Sequence, residues 1–387
     1  MASTLNNYNP QYWANQALML LTTRKGYASR IFRGYEGERE SFGRGDVINF
    51  RKPMKFTAED IFSSAPTAID LDPPKSSLTL DSHFAVRFKV SDKDLVFAGD
   101  RLVTEHIAPA VDALAQKLDL DVATMFTNKI PHVVATTLST TNAATLLSNV
   151  RKKMVENLVP RDGKPLTYVA SPATMALMLQ NTAFTQFQGA DGAGVAAQTS
   201  GDLGMKFGFS WFETTNIITG RAVTVPNDTT GALSAAHLSS VTSIAVDNFG
   251  TSEVIAAGQI LTIAGDSYVV KTGATMSSGA GTLVLEVPTR QAYANNAVVL
   301  LTSDVTTAVD NDIAFHPSAA ALVVAPLPMH ASSLGASIYT ATDPASGLSV
   351  RARLNYDNVA GDVNVILDVL YGMAIIDQDL AVRVEIA

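Results

Sequence analysis

The sequence predicts an α+β protein, and three observations carry the prediction. Residues 100–129 place apolar side chains at Val103, Ile107, Val111, Leu114, Leu118, Val122 and Met125, the recurrence of one face of a long α-helix. Residues 222–308 show no helical period; short β-prone runs follow one another against a background of Thr, Ser, Ala and Gly. The segments on either side of that block mix strands with shorter helices and close on β-prone runs.

The chain has 387 residues, 47% hydrophobic and only 17% charged, enough for two or three folding units with large cores and with surfaces covered by neighbours. Cysteine is absent, which excludes disulfides and thiolate metal sites. No apolar run approaches the roughly 20 residues of a membrane-spanning helix, and the polar start MASTLNNYNP lacks a basic-then-apolar leader. Charge is unevenly spread. Residues 1–55 hold nine Lys/Arg and four Asp/Glu, a net of +5, and the remainder holds 19 and 32, a net of −13. A basic arm on an acidic body points either to an acidic partner, such as a neighbouring copy, or to a solvated terminus.

Taken in order, residues 1–44 read as an extended arm with one or two helical turns at 16–23, followed by a glycine-punctuated link. Two β-prone runs come next, 46–56 and 82–90, and are expected to pair as a projecting hairpin whose loop, 57–81, carries Pro66, Pro73 and Pro74. In the long helix, Pro109 either kinks it or sits in its first turn. Residues 142–159 step Leu146, Val150, Met154, Leu158 and stop at Pro160; residues 171–180 open with Ser171 as cap and a proline in the first turn. Within the 222–308 block, ILTI-AGDS-YVVK reads as a hairpin with Gly265–Asp266 at its turn, and the whole block as a small inserted barrel or sandwich. The runs at 312–325, 348–356, 364–376 and 381–386 are β-prone.

Catalytic patterns are missing. His83, His106, His132, His237, His316 and His330 show no metal-ligand spacing, and no phosphate-binding or dinucleotide-binding glycine loop occurs. Of the carboxylate pairs, Asp70/Asp72 and Asp310/Asp312 read as turn residues and Asp119/Asp121 as the polar side of the helix. No enzyme activity, cofactor or metal is expected. No basic stripe with interleaved aromatics points to sequence-specific nucleic-acid binding.

The order of arm, hairpin, long helix, α/β region, β insertion and β-rich close resembles the major capsid (coat) protein of tailed bacteriophages, the lambdoid-phage coat fold. Four stretches carry the likeness: GDVINFRKP at 45–53, HIAPAVDALAQKLDLDV at 106–122, DIAFHPSAAALVVAPLP at 312–328, and the closing strands at 348–357 and 366–386. The inserted block points to the short-tailed phages whose coat carries an added β-domain. The resemblance implies an N-terminal arm at 1–45, an extended loop at 46–91, and a peripheral domain at 92–137 and 348–387 with a spine helix at 101–127. It implies an axial domain at 138–221 and 309–347, entered by a strand and helix within 312–328, and the inserted β-domain at 222–308.

It further implies hexamers and pentamers of this chain in an icosahedral shell around double-stranded DNA, a portal protein, and assembly in the bacterial cytoplasm. A separate scaffolding protein is expected, because about 45 residues precede the loop. The residues expected to touch a neighbouring subunit are Phe62, Ile69, Asp70, Asp72 and Lys75 of the loop with Arg30 and Arg33 of the arm. Two other readings remain: an encapsulin-type nanocompartment shell, which shares the fold, and a surface-displayed β-rich adhesin.

Overall fold

The computed structural model describes residues 10–24, 26–33, 47–51, 75–91, 106–139, 141–181, 184, 201, 203–218, 229–301, 310–329, 336–342, 348–357 and 362–386. The chain divides into two compact units, Met1–Leu118 with Ala320–Ile376, and Asp119–Ala319 with Asp377–Ala387.

The first unit is organised on the strand Asp362–Ile375, which pairs antiparallel with three others: Ser82–Ser91, Ser349–Asp357 and Ala320–Ala325. Ala336–Thr342 continues the sheet beyond Ser349–Asp357. The 82–91 strand is therefore not paired with the 46–56 run. Its alternation sends Phe84, Val86 and Phe88 to one side and Arg87 and Lys89 to water, a pattern that suits a place in a half-covered sheet better than a lone hairpin. The ring of Phe84 lies 5.9 Å from Tyr371 and under Lys117 Nζ, and Phe88 stacks on His106 at 6.0 Å. The partner of Val47–Arg51 is instead Lys75–Thr79. Ile48 and Leu78 of that pair bury against Ala321, Val323 and Ala374. Gly372 makes this approach possible, since a Cβ there would stand 2.2 Å from the Thr79 carbonyl oxygen.

The arm is more helical than expected. Pro10–Arg24 forms one helix of 15 residues, begun by a proline and filled with Ala, Leu and Met. Trp13, Ala14, Ala17, Leu18 and Leu21 are its buried face. It packs on the strands Ala336–Thr342 and Ser349–Asp357. Beyond it, Phe32 exchanges backbone hydrogen bonds with Ala320 and Leu322, so the chain runs beside the Ala320–Ala325 strand.

The long helix spans Ala108–Lys129, about 33 Å at 1.5 Å per residue. Pro109 lies in its first turn; residues 100–105 fall outside the described residues. Val111, Leu114, Leu118, Val122 and Met125 are buried as the spacing requires, and so is Asp119, on what the sequence reads as the polar side.

In the second unit a six-stranded sheet runs Val133–Thr136, Ala381–Ile386, Asp310–Phe315, Leu166–Ala170, Phe209–Glu213, Met205–Lys206. Its apolar core combines Leu146, Leu147, Val150 and Met154 of the helix Ala143–Glu156 with Tyr168, Trp211, Val382 and Val384 of the strands. That helix closes in a Schellman arrangement: Leu158 N–H donates to Val155 O and Val159 N–H to Met154 O, with Leu158 at φ +57°. The run through 312–325 contains no α-helix; Asp310–Phe315 and Ala320–Ala325 are strands joined by a 3₁₀ turn at Pro317–Ala319. A stretch of Ala and Val buried on every residue fits a strand covered on both faces.

The inserted block is a closed barrel of Ile260–Ile263, Asp266–Thr272, Gly281–Leu285, Ser243–Asp247, Thr230–Leu233 and Val298–Leu301, the last pairing back with the first. Alternate residues (Ile244, Val246, Leu261, Ile263, Leu283, Leu285) fill its interior. The hairpin turn lies one residue earlier than the sequence suggests. Ile263 faces Asp266, and Ala264 and Gly265 carry the positive φ angles of a two-residue loop.

Candidate functional site

The polar chemistry of the second unit converges on the C-terminal end of the long helix. The last carbonyls of any helix lack intrahelical donors. Here two side chains from the end of the chain supply them. Fully buried Arg383 donates from Nη1 to Thr127 O at 2.7 Å, and Gln378 Nε2 to Lys129 O at 2.8 Å. The Arg383 charge is balanced by Glu385, 2.8 Å away. Burial lowers the Arg383 pKa from its ordinary value, and Glu385 opposes that shift.

The same corner fastens the inserted barrel. Asp379, capped into a 3₁₀ turn by Asp377, receives His132 Nε2 at 3.0 Å and Arg290 Nη2 at 2.5 Å. Lys129 pairs with Glu286 at 3.2 Å. Arg290 and Glu286 belong to the barrel, so two ion pairs tie it to the helix end and to the residues leading into the closing strand. Planar Arg–carboxylate pairs of this kind fix orientation as well as distance.

A second buried node lies in the sheet. Asp312 sits within a strand, not in a turn, and is fully buried. It accepts hydrogen bonds from Ser171 N at 2.8 Å and Tyr168 OH at 3.2 Å, at the start of the helix Pro172–Gln180, where Ser171 Oγ caps Thr174 N. Burial pushes the Asp312 carboxyl up to about 7, outweighing these hydrogen bonds. The adjacent Tyr168 hydroxyl is pushed well above its usual value by burial and by Asp312.

In the first unit, fully buried Asp368 is gripped by Arg351 through Nε at 3.0 Å and Nη2 at 2.6 Å, by Arg353 at 3.1 Å and by His83 at 3.2 Å. Three strands of the sheet are thereby locked in register. At each of these nodes the carboxylate is held by donors from neighbouring elements of the fold. Among the described residues no cluster of three His, Asp or Glu is placed to hold a metal ion, and no helix is long and apolar enough to cross a membrane.

Of the residues expected at subunit contacts, Phe62, Ile69, Asp70 and Asp72 lie outside the described residues. Lys75 opens the strand Lys75–Thr79. Arg30 donates to Gly26 O at 3.0 Å and to Ser29 Oγ, holding the turn after the first helix, and Arg33 is half-buried beyond Phe32. The buried ionic residues escaped sequence reading because their charges suggested surface. The available signal was their position inside β-prone runs, DIAF around Asp312 and AVRVEI around Arg383.

Comparison with known proteins now bears on this architecture. Residues 75–254 match the phage capsid protein family. A chain from Mycobacterium phage Che8 aligns with a TM-score of 0.53 and 14% identity, covering 93% of this chain and 90% of its own. A capsid chain of Cyanophage P-SCSP1u gives a TM-score of 0.49 at 12% identity, over 89% of this chain and 85% of that one. The mature capsid of bacteriophage PhiM1 gives 0.43 at 12% identity, over 88% and 81%. No curated protein sequence matches. The matched segment is thus similar to phage capsid proteins, and the likeness to the Che8 chain is one of fold.

Proposed function

We propose that this protein is the major capsid protein of a tailed phage and assembles, as hexamers and pentamers of itself, into the icosahedral shell around a double-stranded DNA genome, in the cytoplasm of a bacterial host. A separate scaffolding protein guides assembly, and a portal protein occupies one vertex. DNA is enclosed without sequence-specific binding, and the protein performs no catalysis. The observation that carries this reading is the coat fold itself, with its long helix, its paired strands at 47–51 and 75–79, and its closing sheet. The charge distribution supports it. A body with a net of −13 beyond residue 55 offers duplex few cationic contacts and lets it slide during filling, because Lys and Arg contacts to phosphate dominate non-specific affinity.

In this reading the chain comprises an arm (1–45), an extended loop (46–91), a peripheral domain (92–137 and 348–387), an axial domain (138–221 and 309–347) and the inserted domain (222–308). The loop lies over a neighbouring subunit. Phe62 and Ile69 cover apolar surface there, Asp70, Asp72 and Lys75 make charged contacts, and Arg30 and Arg33 of the arm contribute a further set. The test is electron microscopy of the purified protein, wild type beside a variant in which residues 57–72 are replaced by a short Gly/Ser link. That replacement spares the pairing of Val47–Arg51 with Lys75–Thr79. Wild type should form uniform closed shells, and the variant should melt as wild type does yet give fragile or irregular particles. Normal, equally stable shells from the variant would remove the loop from the intersubunit contact.

A further inference from the structure

A groove of about 420 Å³ opens in the second unit beside the end of the helix Ala143–Glu156. Its lining includes Arg151, Arg161 and Lys164 and contains no carboxylate. Asp162, next to it, is already engaged by His316 at 3.2 Å and Lys164 at 3.5 Å. Arg151 spends one nitrogen on the Phe207 carbonyl oxygen, and Arg161 has no ion-pair partner among the described residues. The lining also exposes apolar side chains, Val155 at 46% and Met205 at 63%, and Leu158, which precedes the lining residue Val159 in the chain, is 86% exposed.

Leu158 is the telling residue. It occupies the left-handed position of the Schellman turn at φ +57°, where glycine would fold without strain and leucine does not. The side chain gains nothing locally, since it stands almost wholly in water. A residue that strains its own backbone and wets its own apolar surface is explained by a contact made outside this chain.

We propose that this groove is an assembly site that takes an acidic, apolar segment of a second copy of this chain, with Leu158 as the anchor and Arg151 and Arg161 as the donors to its carboxylates. This rests on the shell-forming reading above. A second copy is the occupant because the body supplies the complementary charge, 32 Asp/Glu against 19 Lys/Arg beyond residue 55. Nucleic acid satisfies the arginines but leaves Leu158, Val155 and Met205 uncovered. Anchoring by a central apolar residue ringed by Arg is the usual form of an energetic hot spot.

The experiment compares wild type, Leu158→Gly and Arg161→Glu for monomer melting and for the lowest concentration at which shells form. Leu158→Gly should melt a few degrees higher, because the strain is gone, yet require at least tenfold more protein to assemble. Arg161→Glu should melt unchanged and show a similar assembly defect. Since the chain has no cysteine, a single cysteine in place of Val155, in the groove lining, can carry a photo-crosslinker and leave Leu158 in place. In assembled particles it should link to an Asp- or Glu-containing segment of another copy. If both variants assemble as wild type does, or the crosslinks stay within the chain or reach DNA or scaffold instead, the groove proposal falls and the shell reading stands. If wild type itself forms no particles, both fall.

Discussion

Asp312 gives the second unit a measurable pH dependence. Its carboxyl is fully buried, and burial raises its pKa from 3.8 to about 7. Unfolded, the group ionises near its ordinary value. Between these two pH values the folded protein holds a proton that the unfolded chain has released, so stability falls as pH rises through the window. Below about pH 4 both states are protonated, and above about pH 7 both are ionised; there Asp312 adds no slope. Over a window of about three units at 1.36 kcal/mol each, the loss reaches about 4 kcal/mol. Asp312→Asn mimics the protonated group: its amide oxygen can still accept from Ser171 N–H, and its NH₂ can donate to the Tyr168 hydroxyl oxygen. The assay is chemical denaturation of unassembled protein, wild type beside D312N, from pH 4 to pH 8. The difference should grow in favour of D312N as pH rises and then level off above about pH 7. Curves that stay parallel from pH 4 to pH 8 would refute the reasoning, because they would mean that Asp312 ionises at the same pH folded and unfolded.

Three other outcomes follow from the same packing. Arg383→Met strips the donor from Thr127 O and leaves Glu385 buried without its charge partner, so denaturation should show a loss of roughly 3–5 kcal/mol; a loss under about 1 kcal/mol would mean that water replaces the guanidinium. Gly372→Ala puts a methyl 2.2 Å from Thr79 O, so amide exchange at 47–51 and 75–79 should accelerate while the barrel's protection is unchanged; unaltered exchange would show that the hairpin tolerates the group. Residues 229–301, expressed alone, should give dispersed amide signals and a cooperative melt, since their core is their own; a poorly dispersed spectrum would show that the barrel needs Lys129 and Asp379 to fold.

Periodicity made the long helix legible, since Val111 to Met125 repeat one face and nothing nearby competes. The barrel was equally legible from alternation and turn residues. Pairing was not. The run at 82–90 reads as a strand, but its partner lies nearly 300 residues away, at 362–371, and no local pattern names a partner at that distance. The first helix was underestimated because its apolar residues cluster as ALMLL and blur the period, while Trp13 supplies much of the buried face. Of the node carboxylates the sequence singles out only Asp312, as a turn residue, because a lone Asp or Arg in a sequence does not disclose its counter-charge. Asp368 is intelligible only beside Arg351, Arg353 and His83, which come from other strands.

The barrel's entry and exit strands are neighbours. Thr230 faces Leu300 across the ladder, and Leu301 N–H donates to Thr229 O at 2.8 Å. A chain that leaves and re-enters its host at adjacent points asks almost nothing of that host in loop closure. The insertion is therefore a cassette. Another domain with adjoining termini, or a two-residue link, could take its place while the six-stranded sheet keeps its strand order, and the Lys129–Glu286 and Arg290–Asp379 ties would go with it. Closure of the barrel also leaves no open strand edge for copies crowded together to pair through. The barrel can thus be exchanged, or made to carry a foreign fold, at a single seam in the chain.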